Sequence, residues 1–165
     1  MSLLFRLSSL VGSAKSLQAG ISKAQAVAAQ VKKTVGTFET ASFQENLRQA
    51  EQGDAKAQYE LGEDYYFGNS APQDYTEALK WFLLAAEQGH KQAQANVGML
   101  YALGRGTTQS YIEAFKWICL AEARGHEGAR RTQNTLLRKM TPEQQAEARQ
   151  MAAEFLAQRL GSSEP

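Results

Sequence analysis

The chain of 165 residues contains a single cysteine, Cys119, three prolines and two histidines. One thiol rules out an intramolecular disulfide framework and any zinc site built on several thiolates. So few prolines, with 21% charged residues, argue against wholesale disorder. No apolar run approaches the roughly 20 residues that a helix needs to cross a bilayer. A formal net charge of +1 provides no overall field for nucleic acid, so no nucleic-acid partner is expected. Alanine, by contrast, is abundant: 26 residues within a 43% hydrophobic fraction. A core built from such residues must depend on close packing of small side chains, and the composition as a whole points to a mostly helical protein.

The near-neutral total conceals segments of different character. Residues 1–38 carry Arg6, Lys15, Lys23, Lys32 and Lys33 and no acid. Residues 39–127 are net acidic, and 128–165 are mildly basic again.

A period of 36 residues runs through the middle of the chain. Gly53, Gly89 and Gly125 recur at that spacing, as do Ala57, Ala93 and Ala129. The pairs Gly62/Gly98, Tyr65/Tyr101, Gly68/Gly104, Gln73/Gln109, Tyr75/Tyr111, Trp81/Trp117 and His90/His126 follow without a gap. Each unit reads as helix–loop–helix. Asp54 is a candidate cap for the first helix, and Gly68, Asn69, Ser70 and Pro72 break it. Asp74 with Glu77 has capping-box spacing for the second helix, which stops at Gly89. The next unit repeats this with the breaker Gly104-Arg105-Gly106 and the cap Ser110. Gly62 and Gly98 lie inside helices, where each costs about 1 kcal/mol relative to alanine. A cost repeated at equivalent positions implies close approach of a neighbouring helix. Such pairs stack into an α-solenoid, in which each unit buries its apolar face against its neighbours.

The segments A-K-A-Q-Y-E-L-G-E-D-Y-Y-F-G (55–68) and Y-T-E-A-L-K-W-F-L-L-A-A-E-Q-G (75–89), with 91–104 and 111–125, resemble Sel1-like repeats, relatives of the tetratricopeptide repeat. The resemblance covers about 53–126. It implies an all-α fold, a short α-solenoid of helix-turn-helix repeats, to which the flanking residues add a C-terminal capping helix and an N-terminal amphipathic helix. Residues 38–165 then form the repeat domain, with repeats near 53–88 and 89–124 and a degenerate third unit and cap over 125–160. In that third unit a first helix is expected directly after Gly125, with Gln133, Asn134 and Leu137 in place of the repeat's Leu, Gly and Tyr. Thr141-Pro142-Glu143 opens the last helix, with Ala148, Met151, Ala152, Phe155 and Leu156 as its apolar face.

No catalytic constellation is visible, and neither an enzyme activity nor a cofactor is expected. His90 and His126 follow stop glycines and lack further ligands for a metal site. Cys119 aligns with Leu83 as a small apolar side chain. Glu63 and Asp64 read as solvated surface, and the Gly104 loop lacks the spacing of a phosphate loop. What the resemblance implies instead is protein binding on the face of the first helices. Carried onto this sequence, the groove positions are Lys56, Tyr59, Glu63 and Tyr66, then Gln92, Asn96 and Met99, then Arg131, Thr135 and Arg138. Tyr59 and Tyr66 have a competing role as covers for neighbouring helices.

Residues 1–37 form a separate segment. Leu3, Leu7, Leu10, Ala14, Leu17, Ile21, Ala24, Ala28, Val31 and Val35 alternate spacings of four and three, an a/d seam with the lysines away from it. It reads as a helix that docks onto another helix, in a homo-oligomer or a multi-subunit complex. A basic amphipathic helix on an anionic membrane surface and an organellar transit segment are the competing readings. The expected location is cytoplasmic, with membrane association through residues 1–37 and organellar import left open. The primary expectation is a non-enzymatic adaptor or scaffold, and the alternative is an accessory subunit or membrane-surface protein whose main contact is that helix.

Overall fold

The structure, a computed structural model, describes residues 41–161; the expected docking helix of 1–37, with Leu3, Leu7, Leu10, Leu17, Ile21, Val31 and Val35, lies outside them. The described residues form seven helices and no strand: α1 (Ala41–Glu51), α2 (Ala55–Phe67), α3 (Tyr75–Glu87), α4 (Lys91–Leu103), α5 (Tyr111–Ala123), α6 (Ala129–Leu137) and α7 (Pro142–Leu160). Each of α1 to α5 packs on the next, and α7 returns to pack on α5. None of these helices is long and apolar enough to cross a membrane.

The 36-residue period is carried by local hydrogen bonds that recur with it. The Ala57 N–H donates to Asp54 Oδ1 at 2.7 Å, and one unit later the Ala93 N–H donates to His90 Nδ1 at 3.3 Å. These side chains satisfy N–H groups that a helix start leaves without partners. Gly68 and Gly104 end α2 and α4 in the left-handed region, at φ 73° and 65°, a conformation that glycine adopts without steric cost. The turn then closes identically in both units: Asp74 N–H donates to the Tyr65 carbonyl and Ser110 N–H to the Tyr101 carbonyl, each at 2.9 Å.

Two expectations need correction. Asp74 accepts from Thr76 and Glu77 N–H groups, but the reciprocal half of a capping box does not form there. Its own N–H is taken by Tyr65, and the Glu77 carboxylate pairs with Lys80 at 3.1 Å. The complete box lies at α7, between Thr141 and Gln144. The third unit's helix also does not start directly after Gly125. Gly128 sits at φ 88°, so 126–128 form a turn and α6 begins only at Ala129, with no side-chain cap.

Packing follows the small-residue logic. Ala78, Ala85, Ala93, Ala114 and Ala121 are all fully buried, which lets Phe82, Leu100 and Leu120 interdigitate between helices. The two equivalent tryptophans serve different neighbours. Trp81 belongs to a cluster with Phe43 of α1, whereas Trp117 meets Phe155 of α7 edge-on at 5.1 Å. Thus the terminal helices α1 and α7 cover the repeats on either side, as a short solenoid requires.

Candidate binding face of the repeats

The first helices of the units, α2, α4 and α6, contribute the residues expected to bind. On α2, Tyr59, Glu63 and Tyr66 lie on one stripe with Phe67. The Tyr59 ring stacks on His90 with centroids 4.4 Å apart and touches Phe82 at 5.7 Å. Its hydroxyl donates to Glu63 Oε1 at 2.8 Å. Burial, reinforced by the Glu63 carboxylate, pushes the Tyr59 hydroxyl up to about 12. Burial also lowers the His90 pKa, against the pull of Glu63. Glu63 is therefore half-buried and engaged, not the solvated surface group expected from its sequence context.

Tyr66 packs on Tyr75 at 5.4 Å, and its hydroxyl accepts from Arg105 Nη1 at 3.2 Å. Arg105 also lies over the Tyr75 ring, 5.0 Å from its centroid. A Cβ at Gly106 would fall on the Tyr75 carbonyl, so this loop is glycine-bearing because it docks on the preceding unit.

Two cavities adjoin on this face. The smaller, about 240 Å³, is lined by Tyr59, Glu63, Tyr66 and Phe67 of α2 and by Asn96 and Met99 of α4. The larger, about 510 Å³, has Asn96 and Met99 as one wall and Thr132, Thr135 and Lys139 as another, over a floor that includes Ala95 and Ile118. Of the expected residues, Tyr59, Glu63, Tyr66, Asn96, Met99 and Thr135 are thus brought together. Lys56, Gln92, Arg131 and Arg138 are exposed and line neither cavity, and Lys56 pairs with Glu60 instead. The expected groove set omitted Phe67, Leu103 and Lys139. Phe67 and Leu103 are 36 residues apart and 60% and 51% exposed, and the period itself was the signal that could have found them.

That set also omitted Gln58 and Gln94, which are buried and likewise 36 residues apart. Gln58 Nε2 donates to the Ala50 carbonyl and Gln94 Nε2 to the Ala86 carbonyl, tying each unit to the last turn of the helix before it. Cys119 is half-buried, and burial together with Glu122 pushes its thiol up to about 12. No group of three or more potential metal ligands occurs among the described residues.

The family model described as Sel1 repeat matches residues 55–90 and 91–126. Among solved structures, the chain is similar to c5321, a protective antigen present in uropathogenic Escherichia coli strains and displaying an SLR fold. The identity is 24% and the TM-score 0.67, over 74% of this chain and 28% of that one; at that identity the likeness concerns the fold alone. It is also similar to a Sel1 repeat protein from Oxalobacter formigenes, 41% identical with a TM-score of 0.52, over 53% of this chain and 36% of that one. The chain therefore spans only about a third of the length of these structures. No curated protein matches it. Helix pairs, caps and buried glycines at a 36-residue period, with the family match over both units, establish that the chain carries two consecutive Sel1 repeats, followed by α6 and α7.

Proposed function

We propose that the protein is a non-enzymatic adaptor that binds a segment of another protein on the face formed by α2, α4 and α6. Sel1 repeats are protein-interaction modules, and the observation that carries the reading here is the pair of adjoining cavities on that face. Their rims hold Phe67, Met99 and Leu103, large apolar side chains 47–60% exposed. Clustered apolar exposure of this kind marks interaction surfaces. Packing on both flanks sets the groove before a partner arrives, which lowers the ordering cost of binding.

The test is affinity capture with the full chain and with Phe67→Ala, Met99→Ala and Leu103→Ala combined. These side chains are largely outside the core, so the fold should persist by circular dichroism while captured partners are lost. Unchanged capture would sink the adaptor reading. A second reading rests on the a/d seam of residues 1–37: an accessory subunit or membrane-surface protein held by that helix. Binding to anionic vesicles that disappears on deleting 1–37 would favour it.

A further inference from the structure

The larger cavity occupies a space that is filled by aromatic rings one repeat earlier. Position by position, Ala95 stands where Tyr59 stands in the first unit, Ala102 where Tyr66 stands, and Ile118 where Phe82 stands. At the first interface those three rings pack against one another and on His90 and Tyr75. At the second interface the walls remain, as His126 and Tyr111, but two alanines and an isoleucine replace the filling. Three rings are missing, and about 510 Å³ is open.

The neighbouring side chains do not collapse into the gap. Met99 and Leu103 stay at the rim, about half exposed. His126 has no ring stacked on it among the described residues, whereas His90 carries Tyr59. Its Nδ1, freed by the unwound start of α6, is buried without a hydrogen-bond partner. A wall of imidazole and phenol faces with an apolar floor suits an aromatic ring better than an aliphatic chain.

The far side of the cavity fixes the charge of what enters. Arg131 on α6 and Arg138 just past its end hold the sequence positions of Tyr59 and Tyr66 and stand beside the cavity without lining it, whereas Lys139 lines the cavity itself. All three are exposed, and none forms an ion pair among the described residues. By contrast Arg130, next to them in sequence, is already paired with Glu122 at 3.0 Å.

We infer that the cavity between α4 and α6 takes an aromatic side chain of a partner peptide, seated where Tyr59 sits one repeat earlier, with an acidic residue of the same peptide against Arg131, Arg138 and Lys139. This deepens the adaptor reading and rests on it. The aromatic ring supplies the anchor, as such rings do at interfaces, and the cations set the direction in which the peptide lies.

The experiment is selection of a random peptide library on the full chain, followed by affinity measurement against three variants. Ala95→Tyr and Ala102→Tyr, made separately, restore rings of the first interface and fill the cavity; Ala102 is half-exposed, so that variant tolerates the ring even if Ala95→Tyr misfolds. Arg138→Glu reverses an exposed charge. The expected result is enrichment of Trp, Tyr or Phe beside Asp or Glu, with affinity reduced about tenfold or more by Ala102→Tyr and by Arg138→Glu. Recovery of no peptide, or of peptides whose affinity Ala102→Tyr leaves unchanged, would overturn the inference. Peptides that ignore the filled cavity but lose affinity on replacement of Phe67 and Met99 would overturn it while sparing the adaptor reading. Capture indifferent to Phe67, Met99 and Leu103 would remove both.

Discussion

The ring of Phe82 lies against the backbone of Gly62 so closely that a Cβ placed on the glycine would stand 2.5 Å from Cδ1. Phe82 is fully buried and ringed by Tyr59 and Tyr66. Replacing a helical glycine by alanine ordinarily stabilises by about 1 kcal/mol, but overpacking a filled core costs about 1–3 kcal/mol. Gly62→Ala should therefore lower stability, by up to about 2 kcal/mol. At the equivalent Gly98 a Cβ would meet Ile118 Cγ1 and Cδ1 at 2.7 and 2.8 Å, beside the open cavity, and the Ala114 carbonyl at 3.1 Å. Ile118 borders open space that Phe82 lacks, so Gly98→Ala should cost less than Gly62→Ala, with the Ala114 carbonyl limiting the relief. Urea unfolding of the two variants side by side checks both; equal losses would contradict this account of the cavity.

The buried glutamines differ in one bond. Gln58 Oε1 accepts from Gln88 Nε2 at 2.7 Å, whereas Gln94 Oε1, the equivalent atom, is buried without a partner. The residue equivalent to Gln88 is Arg124. Arg124→Gln should restore the missing donor and raise stability by about 1 kcal/mol. A melting temperature equal to or below that of the parent would count against it.

Acid should weaken the second unit through His90. Burial depresses its pKa in the folded state, and Nδ1 must stay unprotonated to accept from Ala93. Because the unfolded state then binds the proton first as pH falls, this contribution is complete above the ordinary histidine range near 6.5 and is lost progressively as pH drops through the lowered folded value. His90→Asn keeps a capping acceptor without the titration. The stability difference between parent and variant should shift in the variant's favour on going from neutral pH to about pH 5. A difference independent of pH would refute the assignment.

Cys119 should be unreactive while the protein is folded. Its thiol is pushed up to about 12 by burial and Glu122, so almost no thiolate exists at mildly alkaline pH. Labelling by a disulfide reagent should be slow in buffer and fast in denaturing urea. Rapid labelling of the native protein would show the opposite.

Much of this architecture could be read in the sequence, because a repeat states its own rules twice. The stop glycines at 89 and 125, the caps Asp54, Asp74 and Ser110, and the small residues at 57, 62, 93 and 98 all appear in their expected roles. What escaped was governed by differences between units. Nothing local to Glu127-Gly128 announces that the turn there extends before α6 starts, since glycine is equally compatible with a helix interrupted or merely weakened. Glu63 looked solvated because its engagement depends on Tyr59, one turn away on the same helix. The cavity itself was written in the replacement of Tyr59 and Tyr66 by Ala95 and Ala102, and it becomes visible only when the equivalent side chains are placed in three dimensions.

The late, uncapped start of α6 has a consequence for the order in which the molecule opens. A nine-residue helix without a side-chain cap, resting chiefly on α5, is the natural first element to fray. Its amides should exchange with solvent well before those of α3 to α5, through excursions that leave the rest of the stack closed. Since α6 forms one wall of the larger cavity, whatever fills that cavity would also slow those excursions. Amide protection along Ala129–Leu137 would then rise with occupancy, making this helix a gauge of engagement built into the chain.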